Sequence, residues 1–180
     1  MPGWFIDMGM NLELKARLSN LEEVKRKVEA IKIIRFEADD TQIDTFYNVP
    51  KGRLKLRESA FYGNILIPYF RADSSDAKQS DYSLIEIKDT ESLKRIFSEM
   101  FGIKVVVEKM RSIYLYENVR IHLDRVNGLG DFLEFEAVLG YENSIQEGQK
   151  KIDYLRDYLN IKDTDLISVA YADLLLQKND

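Results

Sequence analysis

Arg120-Ile-His-Leu-Asp-Arg-Val-Asn-Gly-Leu-Gly-Asp-Phe-Leu-Glu-Phe-Glu136 decides how this chain is read. Its ionisable residues recur at every second position: Arg120, His122 and Asp124, then Glu134 and Glu136. Successive side chains of a strand point to opposite faces, so these charges share one face while Ile121, Leu123, Leu133 and Phe135 take the other. Asn127-Gly-Leu-Gly130 supplies the turn between the two runs, because glycine tolerates positive φ. An ordinary half-buried sheet with its polar face in water produces the same alternation. Repetition elsewhere in the chain argues for more than that.

Asn11, Glu13, Lys15 and Arg17 share a face of the first strand-like segment. Arg53, Lys55 and Arg57 do so in the next charged run, with Leu54 and Leu56 opposite; Tyr69 and Arg71 follow, then Lys109 and Arg111. If these faces converge, as in a closed barrel with a polar lumen, the residues sort into two sets. Glu13, Glu134 and Glu136 form a carboxylate cluster whose repulsion a divalent cation relieves. Lys15, Arg53, Lys55, Arg57, Arg71, Lys109, Arg111 and Arg120 form a cationic lining too dense to persist without an anion. A polyphosphate carrying Mg2+ or Mn2+ matches both sets: guanidinium forks grip phosphate oxygens while the metal neutralises them. Period alone leaves the other arrangement open, in which the same charges decorate an open sheet.

Composition narrows the chemistry. In 180 residues, 45% are hydrophobic and 32% charged, the balance of one folded domain with a real core. The formal net charge of -5 gives no overall attraction to long nucleic acid or an acidic membrane, so an anion site must be made locally. There is no cysteine, which excludes thiolate metal sites and a cysteine nucleophile. A single histidine, His122, excludes multi-histidine zinc and leaves oxygen ligands, the preference of Mg2+ and Mn2+. No apolar run approaches the roughly 20 residues of a membrane helix, and residues 1–10 lack a basic, apolar leader, so a cytoplasmic location is expected. That segment reads as an N-terminal extension, with residues 11–180 a single domain; a homodimer is compatible with this.

The order of elements is mixed α+β. Strand-like segments fall at 11–18, 32–37, 43–47, 53–58, 65–71, 82–88, 104–116, 119–125 and 131–139. Ser19-Asn-Leu-Glu22 and Ser144-Ile-Gln-Glu147 are capping boxes that open helices, the second running to Leu159. Asp89 or Thr90 caps another helix that Gly102 stops, and a last helix is expected from Asp163 toward Gln177. Ala72–Ser80 reads as a polar loop.

The ordered motifs resemble those of the CYTH superfamily, named for class IV adenylyl cyclases and thiamine triphosphatases and also called triphosphate tunnel metalloenzymes. Asn11-Leu-Glu-Leu-Lys15 corresponds to an E-x-E-x-K strand with one departure, and Asp44-Thr-Phe-Tyr47 with Arg53-Leu-Lys-Leu-Arg57-Glu58 is similar to D-T-Y-F followed by L-K-L-R-E. Leu66 to Asp73 resembles L-I-x-Y-x-R-x-D, Lys78-Gln-Ser-Asp-Tyr82 resembles K-x-S-D-Y, and Val107-Glu-Lys-Met-Arg111 resembles the K-x-R strand. Arg120 to Glu136 matches R-I-H-L-D-x-V-x-x-L-G-x-F-x-E-x-E almost throughout, in the manner of the cyclase-type branch.

The resemblance implies a closed eight-stranded antiparallel β-barrel, a tunnel with a charged lumen and helices packed outside, acting on triphosphates with Mg2+ or Mn2+. It implies Glu13, Glu134 and Glu136 as metal ligands. Lys15, Arg57, Arg71, Lys109 and Arg111 then bind phosphate, supported by Lys55 and Arg120. Asp124 positions water, a substrate hydroxyl or a neighbouring cation, and Lys15 and Arg111 join it as the catalytic residues. His122 reads as structural. Asn11 stands where the first glutamate is expected and is at most a weak, uncharged ligand. Three activities follow: cyclisation of ATP to cyclic AMP and pyrophosphate, hydrolysis of a triphosphate, or triphosphate binding without turnover.

Overall fold

A computed structural model describes residues 10–71, 80–140 and 144–179. Residues 1–9 of the extension and most of the 72–80 loop lie outside the described residues. The strands are β1 (Met10–Leu18), β2 (Arg35–Tyr47), β3 (Arg53–Ser59), β4 (Gly63–Arg71), β5 (Ser80–Tyr82), β6 (Ile85–Glu86), β7 (Ile103–Tyr116), β8 (Val119–Val126) and β9 (Gly130–Leu139). The helices are α1 (Leu21–Ala30), α2 (Thr90–Phe101), α3 (Ile145–Leu159) and α4 (Tyr171–Asn179). All pairings are antiparallel, in the order β1-β9-β8-β7-β2-β3-β4-β5, with β6 beside β4.

The closed eight-stranded barrel implied by the resemblance is not formed. Closure requires a hydrogen-bonded ladder between the end strands, and here β1 and β5 end an open sheet. The reason is local: β5 is three residues long and gives its pairing to β4, as does two-residue β6. The sheet still curls until its ends approach, and the side chains of Asn11 and Tyr82 meet across the gap.

Register sends the alternation where period two placed it. Ile121, Leu123, Leu133 and Phe135 are fully buried against Leu21, Val24 and Val28 of α1 and Ile152, Leu155 and Leu159 of α3. Leu56 is buried and Leu54 partly buried beside Leu93, Phe97 and Phe101 of α2. Gly148 permits the close seat of α3, since a Cβ there would stand 3.1 Å from Leu139 and 3.2 Å from Ala137. Asp89 and Ser144 cap α2 and α3 as expected, the latter with a complete capping box, and Gly102 ends α2 at φ 72°.

Four boundaries differ from expectation, the first being the 82–88 segment, which is two short strands, Ser80–Tyr82 and Ile85–Glu86. Asn20, not Ser19, caps α1, its side chain accepting from the Glu23 amide. The 32–37 and 43–47 segments are one strand, carried through polar residues because both neighbours supply a ladder. Asp163 opens only a single 3-10 turn, Asp163–Asp165, and α4 begins at Tyr171. This last shift matters for the site. Tyr171 and Ala172 pack on Phe46, Val107, Val126 and Phe132, which continue the polar face at one end, so α4 covers that end.

Candidate functional site

Strand register assembles the charged side chains on the concave face. In the ladders Glu13 lies opposite Glu136, Lys15 opposite Glu134, Glu134 opposite His122, Glu136 opposite Arg120, Arg111 opposite Asp124, and Asp44 opposite Arg57. Two centres result, each organised on buried carboxylate.

At the first, Asp44 receives three cations. Arg57 grips it bidentately, Nε and Nη2 each at 2.7 Å, with Lys109 Nζ at 3.1 Å and Lys55 Nζ at 3.2 Å. Burial alone would raise the Asp44 carboxyl, but Arg57, Lys109 and Lys55 overcome it and hold the group well below the usual carboxylate range. The lysines bear the cost. Burial, with the neighbouring cations adding to it, lowers Lys55 to about 8 and Lys109 to about 7, and Asp44 offsets only part. One carboxylate among three cations leaves a surplus of positive charge in a largely desolvated place.

At the second, Arg111 forks onto Asp124 with two 2.6 Å hydrogen bonds and reaches Glu134 at 2.8 Å. Lys15 stands 3.3 Å from Glu134 and 4.3 Å over the Tyr171 ring, while the Tyr171 hydroxyl donates to Asp124 at 2.7 Å. Glu134 is depressed well below its usual range against the effect of burial, chiefly by Lys15. His122 is buried and pushed down by burial and by Arg111, hence neutral at pH 7. Its Nδ1 has no hydrogen-bond partner and lies 3.6 Å from Glu134, beyond hydrogen-bond reach.

At the gap between the sheet ends, Glu136 accepts from Arg120 at 3.1 Å and from the Asn11 amide. Asn11 is 6% exposed, and its Oδ1 is buried without a hydrogen-bond partner. Glu13 and Glu136 face each other directly, an unfavourable pairing of like charges that a cation relieves. The oxygens of Asn11, Glu13 and Glu136 therefore fit a hard divalent ion. Glu134 is drawn instead to Lys15 and Arg111, and among the described residues no three His, Cys, Asp or Glu side chains are grouped closely enough to hold a metal.

Of the other expected phosphate ligands, Arg53 is engaged by Asp173 of α4 at 3.1 and 3.2 Å, and Arg71 ends β4 with its side chain outside the described part. Sequence reasoning gave no role to Asp44, Tyr171 or Asp173. Asp44 had a signal, since it sits in the quoted Asp44-Thr-Phe-Tyr47 stretch at the register position opposite Arg57. Tyr171 and Asp173 had none, because a helix pattern does not say which end of a sheet the helix covers.

A curled antiparallel sheet with buried cations and carboxylates on its concave face defines a protein built to hold a polyanion. The CYTH domain family matches residues 9–171, and the chain belongs to that family. A Methanocaldococcus jannaschii protein named as a candidate adenylate cyclase is 26% identical over 92% of this chain and 98% of its own length. A solved Pyrococcus horikoshii structure is 29% identical, covering 92% of this chain and 99% of that one, with a TM-score of 0.81. A conserved hypothetical Pyrococcus furiosus protein, 24% identical with 91% and 99% covered and a TM-score of 0.80, shares the fold. No helix among the described residues is long and apolar enough to cross a membrane.

Proposed function

We propose that this chain is a metal-dependent phosphoryl-transfer enzyme acting on a triphosphate, converting ATP to cyclic AMP and pyrophosphate. The observation that carries the triphosphate reading is the trio of Lys55, Arg57 and Lys109 on the single carboxylate of Asp44. Entry of a polyphosphate satisfies that surplus and raises both lysines back toward their ordinary protonation. Phosphoryl transfer is mostly positioning and charge stabilisation, so a rigid bed of cations supplies much of what the reaction needs. The Methanocaldococcus jannaschii relative supports the cyclase form of this reading.

Within it, Arg57, Lys109 and Lys55 hold phosphate oxygens, and Arg111 stabilises charge developing at the reacting phosphorus. Asp124, locked by Arg111 and Tyr171, orients the attacking hydroxyl. Asn11, Glu13 and Glu136 would hold Mg2+ or Mn2+, which when bound supplies Lewis-acid neutralisation of phosphate charge. Hydrolysis of the terminal phosphate uses the same cations. Binding without turnover is favoured only by the missing charge at Asn11.

The test incubates the protein with ATP, tripolyphosphate or thiamine triphosphate plus Mg2+ or Mn2+ and follows phosphorus NMR. Cyclic AMP with pyrophosphate is the expected outcome. Orthophosphate release would replace cyclisation by hydrolysis, and binding without product would leave a binding module.

A further inference from the structure

The β3–β4 turn carries two aromatic side chains that phosphate binding does not use. Phe61 and Tyr62 are 48% and 36% exposed and pack edge to face, centroids 4.7 Å apart. The turn is pinned to the polar face. Fully buried Asp40, opposite Arg111 in the β2–β7 ladder, accepts from the Phe61 amide at 3.0 Å, Ser59 Oγ at 2.7 Å and Gln42 Nε2 at 2.6 Å. Ser59 Oγ in turn accepts from the Tyr62 amide at 2.8 Å. Each aromatic residue is hung by its own backbone N–H from a buried polar network, which fixes where the exposed rings sit.

They sit at the end of the concave face away from α4. Tyr62 lies within electrostatic reach of Arg120 and Glu136, and so does Tyr82, which meets Asn11. The rim therefore sets exposed rings beside a cationic and metal-compatible strip. An elongated ligand with its anionic part on Arg57 and Lys109 would present its other end to this rim. An aliphatic ligand gains little from rings packed edge to face, whereas a planar ring can stack against exposed aromatic surface.

We propose that Phe61 and Tyr62 form a stacking subsite for the planar ring of an organic triphosphate, a nucleobase above all, and so discriminate nucleotides from inorganic tripolyphosphate. The inference rests on the triphosphate reading given above. It assigns the selection of the organic moiety to the β3–β4 turn, separate from the cations that hold phosphate.

Calorimetric titration of the full chain with ATP and with tripolyphosphate, in the presence of Mn2+, tests it. The proteins compared are wild type, Phe61→Ala, Tyr62→Ala and the double variant, with melting temperature confirming that each is folded. Loss of stacking should weaken ATP binding roughly 5- to 150-fold, the span of base–aromatic stacking in single-strand recognition, while tripolyphosphate affinity changes less than about twofold. Parallel weakening of both ligands would mean that the turn only shapes the phosphate bed and would overturn the proposal. Unchanged ATP affinity would overturn it as well. A wild-type protein that binds tripolyphosphate but gains nothing from the nucleoside sinks the subsite alone; one that binds neither ligand sinks the triphosphate reading too.

Discussion

The Asp44 centre and the Asp124–Glu134 centre are built from the same kinds of side chain on adjoining strands, yet their charge balance differs. Asp44 alone serves Lys55, Arg57 and Lys109, whereas Arg111 and Lys15 meet two carboxylates, Asp124 and Glu134. The first has cations in excess and awaits an anion; the second is internally neutralised and locked by Tyr171. A buried ion pair stabilises only when its partners are matched, and an unmatched buried charge costs several kcal/mol. The comparison separates cations left over for phosphate from a matched cluster that is ordered before any ligand arrives.

The sharpest break comes from removing a cation at each centre. Arg111→Met takes the guanidinium from Asp124 and Glu134 at once, leaving buried Asp124 the Tyr171 hydroxyl and Glu134 Lys15, and should destabilise the protein by about 3–5 kcal/mol, read by urea denaturation. Lys109→Met leaves Asp44 with two cations and deletes a lysine held below its normal protonation. Stability should then change by less than about 1 kcal/mol or rise, while triphosphate affinity falls at least roughly tenfold. Equal destabilisation by the two substitutions would erase the distinction.

Glu136→Gln tests the metal edge beyond both centres. It keeps shape and removes charge, so turnover should fall by about a hundredfold or more with little change in melting temperature. Normal rates with normal metal dependence would make that carboxylate structural.

Proton linkage sharpens the contrast further. Lys109 near 7 and Lys55 near 8 are lowered from 10.5, so between about pH 7 and pH 10 the unfolded chain binds more protons than the folded one. Stability of the ligand-free protein should therefore rise with pH across this window, by up to roughly 4 kcal/mol between pH 7 and pH 9. Asp44 and Glu134, being depressed, act in the opposite window and lose their contribution only in acid. Tripolyphosphate should flatten the upper slope by keeping the lysines charged. A flat profile without ligand would show that they are not desolvated.

The smallest effect expected is at Asn11. Asn11→Glu adds a charge beside Glu13 and Glu136, lowering stability without metal and tightening Mn2+ severalfold. Melting temperature against Mn2+ concentration reads both, and an unchanged midpoint would remove position 11 from the metal edge.

Much of the site was legible because a strand needs only period two to assign a face. Arg57, Lys109, Arg111, Asp124 and Glu134 do share the concave face, and Ile121, Leu133 and Phe135 lie under helices on the other. Pairing of individual cations with individual carboxylates was not legible. Glu134 belongs to the carboxylates by face, but Arg111 and Lys15 reach it and draw it from Glu13 and Glu136. Arg53 belongs to the cations by face, yet α4 brings Asp173 onto it.

Alternation, capping residues and turn glycines are local, so the sequence by itself determined most of the strand segments, where α2 and α3 begin, and which side chains turn inward. It also determined the family, through motifs spread over most of the chain. Closure of the sheet, the seat of α4 and the orphaned oxygen of Asn11 were decided only in the tertiary structure. Each depends on residues far apart in sequence arriving at one place. Whether β1 finds a ladder with β5 turns on a three-residue strand already committed to β4, and local pattern carries no record of that competition.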